Sequence, residues 1–100
     1  MPSFQVKTPH ALGREAAVER LKHFADKVAK HYKDQVSRLE SKWDENKLNF
    51  SLTVYGFSFG GVITVSDAEA VMEGTMPFAA LPFRGRIETG FADEMKKALS

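Results

Sequence analysis

The chain has 100 residues, 43% of them apolar and 27% charged, which is enough for one hydrophobic core and too little for two. The absence of cysteine excludes a disulfide framework, a thiolate zinc site and a cysteine nucleophile, and fits a reducing cytoplasm. A formal net charge of +1 lacks the basic excess of a nucleic-acid module, and Met1 to Lys7 shows neither the apolar run nor the cleavage site of an export signal.

One domain over residues 1–100 is expected. Phe4 to Lys7 reads as an opening strand, which Thr8-Pro9-His10 ends because proline cannot continue a ladder. From Gly13 to about Lys33, Ala17, Leu21, Phe24, Ala25, Val28 and Tyr32 recur at three- and four-residue spacing, the pattern of an amphipathic helix. Asp26 precedes Lys30 by four residues on its charged face, an arrangement that favours an ion pair.

Val36 to Trp43 reads as a strand with Leu39 and Trp43 on one face, and Asp44-Glu45-Asn46-Lys47 supplies a turn. No charged residue occurs from Leu48 to Ser66, a length that could mimic a membrane span. Alternation rejects that: Leu48, Phe50, Leu52 and Val54 interleave with Asn49, Ser51, Thr53 and Tyr55, and Gly56, Gly60 and Gly61 interrupt the rest. Phe59 to Val65 and Glu69 to Met76 give two further strands, the second closed by Pro77. The last segment is a second amphipathic helix, with Phe83, Ile87, Phe91, Met95 and Ala98 on one stripe and Pro82 in its first turn. Gly90 interrupts that helix and suggests close backbone approach to the sheet or to a bound group.

These elements predict an α+β domain in the order β-α-β-β-β-β-α. An antiparallel meander from about Val36 to Met76 carries both helices on one face, a reduced helix-grip architecture.

Few residues invite chemistry. Gly56-Phe57-Ser58-Phe59-Gly60 matches the G-x-S-x-G nucleophile elbow, but a strand follows the serine where an elbow needs a helix, and every histidine precedes Ser58. His23 and His31 lie eight residues apart on the first helix with Lys27 between them, which repels a metal, and His10 reads as a local hydrogen-bonding or packing residue rather than a base. Glu40, Asp44 and Glu45 around Trp43 read as turn and edge residues. Phe50, Tyr55, Phe57 and Phe59 suit core packing better than base stacking, because no lysine or arginine lies between Lys47 and Arg84. No catalytic residue, metal or cofactor is expected, and no nucleic-acid partner.

The apolar run Met76 to Phe83 is the most informative feature, since eight uncharged residues joining a strand to a helix are hard to bury completely. It reads as a packed helix entry or as a partly exposed docking patch carrying Phe78, Leu81 and Phe83. Gly74 and Gly90 leave room between sheet and second helix for an apolar acyl-type ligand, with Phe59, Met72 and Phe91 as wall candidates.

Pro9 to Ala16, Trp43-Asp44, Phe50-Ser51, Gly56-Phe57-Ser58, Gly61 to Val65 and Leu81 to Glu88 together resemble the polyhydroxyalkanoic acid system protein family across nearly the whole chain. Gly60-Gly61 departs from the Ser-Gly of that pattern. The resemblance implies association with bacterial polyhydroxyalkanoate storage, with the granule or granule-associated proteins as partners, and supplies no catalytic residue; a non-catalytic accessory protein is the leading reading. A small binding protein for an apolar acyl group is the alternative reading.

Overall fold

The computed structural model describes residues 2–100, except for the side chain of His31. Strand β1 (Ser3–Pro9) leads into helix α1 (Arg14–His31), strands β2 (Val36–Asp44), β3 (Lys47–Val54), β4 (Phe57–Val65) and β5 (Glu69–Thr75) follow, and helix α2 (Arg84–Leu99) ends the chain. The five strands form one antiparallel sheet in the order β1-β5-β4-β3-β2, so the meander β2 to β5 is closed at its far edge by the first strand. The predicted α+β order and the placement of both helices on one face are observed.

Alternation fixes which face is covered. Register places Leu39, Leu52 and Phe59 in one cross-strand row, and Leu48, Ile63, Met72 and Val6 in another, all on the helix side. The opposite face carries Lys42, Asn49, Glu73 and Gln5 and is solvated. Leu21 of α1 and Met95 of α2 are fully buried and share one core cluster with Val65, Met72 and Met76.

Turn chemistry sets the hairpins. Tyr55 and Gly56 both take positive φ (51° and 81°), as a two-residue turn matching the twist of its strands requires. Asn46 donates from Nδ2 to the Val65 carbonyl at 2.7 Å and accepts from the Val65 N–H at 2.9 Å, tying the β2–β3 turn to the end of β4. One row is shaped by glycine: Phe4, Gly74, Gly61 and Phe50 stand side by side across four strands. A β-carbon on Gly61 would collide with the Glu73 carbonyl and lie 2.8 Å from the Gly74 Cα, so β4 and β5 approach there as only glycine permits. The Phe4 ring lies over Gly74 and fills the space a side chain would take.

Four details differ from the sequence reading. β1 runs through Pro9, because His10 donates its N–H to Ala68 at 2.9 Å and the proline nitrogen next to it turns to the free sheet edge. The Phe78–Phe83 segment is a separate 3-10 helix containing Pro82, and α2 starts only at Arg84. The ion pair on α1 is Glu19–Lys22 at 3.6 Å, with none between Asp26 and Lys30 among the described residues. Gly90 has no close approach to the sheet, for a β-carbon built there meets nothing within 4 Å.

Candidate functional site: an apolar cleft beside an exposed 3-10 helix

The two helices do not cover the sheet evenly. α2 packs chiefly on β1 and against α1, while α1 only grazes β2 and β4. The apolar inner face of β2, β3 and β4 therefore continues beyond the helices, and a cleft of about 620 Å³ opens between them. Its floor includes Phe50, Leu52 and Phe57, and its roof Phe24 and Val28 of α1 with Ile87 of α2. Phe24, Phe50, Phe57 and Ile87 stay only partly buried because the cleft runs between them.

An aromatic trio closes the inner end. Phe91 of α2 stacks on Phe4 with ring centroids 5.5 Å apart and planes 17° apart, and both meet Phe59 edge-on, at 6.2 and 6.5 Å. The flat stacking of Phe4 depends on bare Gly74 beneath it. Lys22 of α1 lies 5.9 Å from the Trp43 ring centroid and links the helix to the outermost strand. Polar groups are few: Tyr32, Gln35, Ser41, Tyr55, Arg86 and Glu94 also contribute to the lining.

Of the residues singled out from sequence, Phe59, Met72, Phe83, Gly90 and Phe91 line this cleft together. Gly74 does not, since the Phe4 ring occupies the room expected above it. Phe78 and Leu81 lie outside the cleft on the 3-10 helix, 71% and 41% exposed, and Phe83 at its end is 50% exposed. Only Ala80 of that helix is buried, so the segment is an apolar projection anchored at one residue. Pro77 and Pro82 confine its backbone and keep it from merging into a regular α-helix with the buried stripe. Sequence reasoning missed Phe24, Val28, Phe50 and Arg86 as cleft residues; the first three read as core, and nothing marked Arg86.

The remaining candidates are placed locally. Ser58 lies within β4, exposed on the sheet face away from the helices, with its hydroxyl 3.2 Å from that of Thr53, so no strand-to-helix elbow forms. His10 Nε2 donates to the Ser66 carbonyl at 2.9 Å while Nδ1 accepts from the Leu12 N–H at 3.2 Å, which pins the chain entering α1. His23 is exposed, whereas the side chain of His31 lies outside the described residues. Glu40 binds Arg38 at 2.7 Å, and Glu45 forms the β2–β3 turn with φ of 54°. Tyr55, grouped in the sequence with the core aromatics, is instead 75% exposed at its turn. Among the described residues no cluster of three or more metal-ligating side chains occurs, and no helix is long and apolar enough to cross a membrane.

Fold and site define an α+β domain that presents an open apolar cleft and a neighbouring apolar projection on one side of an antiparallel sheet. The chain belongs to the family described as "Putative polyhydroxyalkanoic acid system protein", which matches residues 4–99, and this membership ties it to the polyhydroxyalkanoate system. No curated protein matches it.

Proposed function

We propose that the protein is a non-catalytic accessory of polyhydroxyalkanoate storage, working in the cytoplasm at the granule surface or on granule proteins. The observation that carries this reading is the 3-10 helix, which holds Phe78, Leu81 and Phe83 out of the core next to an apolar cleft. Burying three such side chains contributes about 5 to 9 kcal/mol at most, while association costs roughly 4 to 15 kcal/mol. Attachment through this turn alone is therefore weak and reversible, as suits an accessory protein. The non-catalytic part of the reading rests on the placement of Ser58 within a strand and of His10 in backbone hydrogen bonds.

A fluorescent fusion expressed in polymer-accumulating cells tests it. The wild type is expected as rings around granules, and a Phe78→Ser, Leu81→Ser double variant as diffuse signal with an unchanged melting temperature. Diffuse wild-type signal with granules present would refute granule association, and unchanged localisation of the variant would refute the role of the turn.

The cleft favours a second reading, a binding protein for an apolar acyl-type ligand. A volume of about 620 Å³ falls within the usual range for small-molecule pockets, about 300 to 1,000 Å³, and its lining is mostly aliphatic and aromatic.

A further inference from the structure

We infer that the cleft takes an acyl carboxylate, an unbranched apolar chain carrying a free anionic head, and that Arg86 is the residue that receives the head. This rests on the second reading above, that the cleft binds an acyl-type ligand. The argument begins with what lines the cleft. Its floor and roof are mostly hydrocarbon, and among the described residues Arg86 is the one cationic residue of the wall.

Arg86 makes no ion pair and no side-chain hydrogen bond among the described residues, whereas its neighbour Arg84 approaches Glu88 at 3.9 Å. Glu88 is further occupied as the acceptor of the Gln5 N–H at 3.3 Å, so it faces β1 rather than the cleft. The acid in the wall, Glu94, is already paired with Lys97 at 3.7 Å. It also lies eight residues from Arg86, roughly 12 Å along the helix.

The position of Arg86 is unfavourable for a helix on its own. It sits in the first turn of α2, which has no acidic residue, where exposed N–H groups already make the local potential positive. An incoming carboxylate relieves that charge, and a guanidinium donates two parallel hydrogen bonds to it. Charge and shape thus agree on one ligand class: a chain lying between Phe24, Phe50 and Ile87, its head at the arginine.

Calorimetric titration of the full chain with hexanoate, octanoate, decanoate and the neutral analogue 1-octanol tests this. Affinity is expected to rise about fourfold per added methylene. Arg86→Gln is expected to weaken octanoate about 10- to 100-fold while leaving 1-octanol unchanged. Gly90→Leu places a side chain in open space inside the cleft, and is expected to abolish binding of both without lowering the melting temperature. Binding of neither ligand would overturn the cleft reading itself. Equal binding of both by wild type and Arg86→Gln would overturn the carboxylate head while the cleft reading stands. An equal loss of both ligands on Arg86→Gln would make the arginine structural, and undiminished binding by Gly90→Leu would put the ligand elsewhere.

Discussion

Replacing Gly90 with alanine should make the protein more stable. Gly90 lies in the interior of α2, where glycine costs about 1 kcal/mol relative to alanine because the unfolded chain loses more backbone freedom on folding. A penalty of that size is usually offset by a close approach that a methyl group would block. Here a β-carbon meets no heavy atom within 4 Å, so the substitution introduces no clash and the full propensity difference is available. For a domain of this length, about 1 kcal/mol corresponds to a rise of about 4 to 8 °C in melting temperature. Thermal unfolding followed by far-ultraviolet circular dichroism measures it, with Gly85→Ala in the first turn as a second open position where a smaller gain is expected. A melting temperature that falls with Gly90→Ala would mean that the cleft closes onto this point of α2 in solution, and the open geometry would be wrong.

Gly61 behaves in the opposite way: Gly61→Ala drives a methyl group into the backbone of β5 and should cost about 1 to 3 kcal/mol or more, read from the urea midpoint. Phe4→Ala removes the partner of both Phe91 and Phe59 and should cost about 3 to 5 kcal/mol by the same measurement; a loss under about 1 kcal/mol would contradict the packed trio. Ser58→Ala, exposed on the outer sheet face, should change stability by less than about 0.5 kcal/mol. Assays with ester and acyl-thioester substrates should find no turnover in the wild type; robust turnover abolished by Ser58→Ala would overturn the non-catalytic reading.

Much of the fold is legible because its elements have clean periods. Leu48, Phe50, Leu52 and Val54 alternate without exception, and they do form the inner face of β3. The errors fall where local rules meet tertiary context. Pro9 breaks a central ladder, but β1 is an edge strand, and strand position is a property of the assembled sheet. Phe83 shares a helical stripe with Ile87 and Phe91, yet the α-helix begins after it, since Pro77 and Pro82 impose a tighter turn. Gly74 and Gly90 look equivalent in sequence, both small residues facing the sheet-to-helix space. Their surroundings differ because Phe4, 70 residues from Gly74, lies across one of them and nothing lies across the other. The cleft is half legible: Phe59 and Phe91 can be named as walls while Phe24 and Phe50 read as core, and its extent depends on how far two helices reach across five strands, a distance no pattern along the chain encodes.

The uneven cover on the sheet bears directly on function. If the helices were the whole answer to burying the inner face, the outer strands should turn polar where α1 and α2 stop, as β2 and β3 are on the opposite face with Glu40, Lys42, Asn49 and Ser51. They do not: Val36 and Leu39 of β2 and Phe50 and Val54 of β3 remain apolar on the helix side while only partly buried. Each such residue leaves hydrocarbon in water at about 25 cal/mol per Å². The open space at Gly90 adds a backbone penalty on the facing helix. Two independent costs therefore converge on one cleft, one in the floor and one in the roof. The first is relieved when an apolar group enters the cleft; the second is conformational and stands whether or not the cleft is filled. An apolar occupant, as the proposed binding reading has it, would cover that hydrocarbon and use the room left beside Gly90.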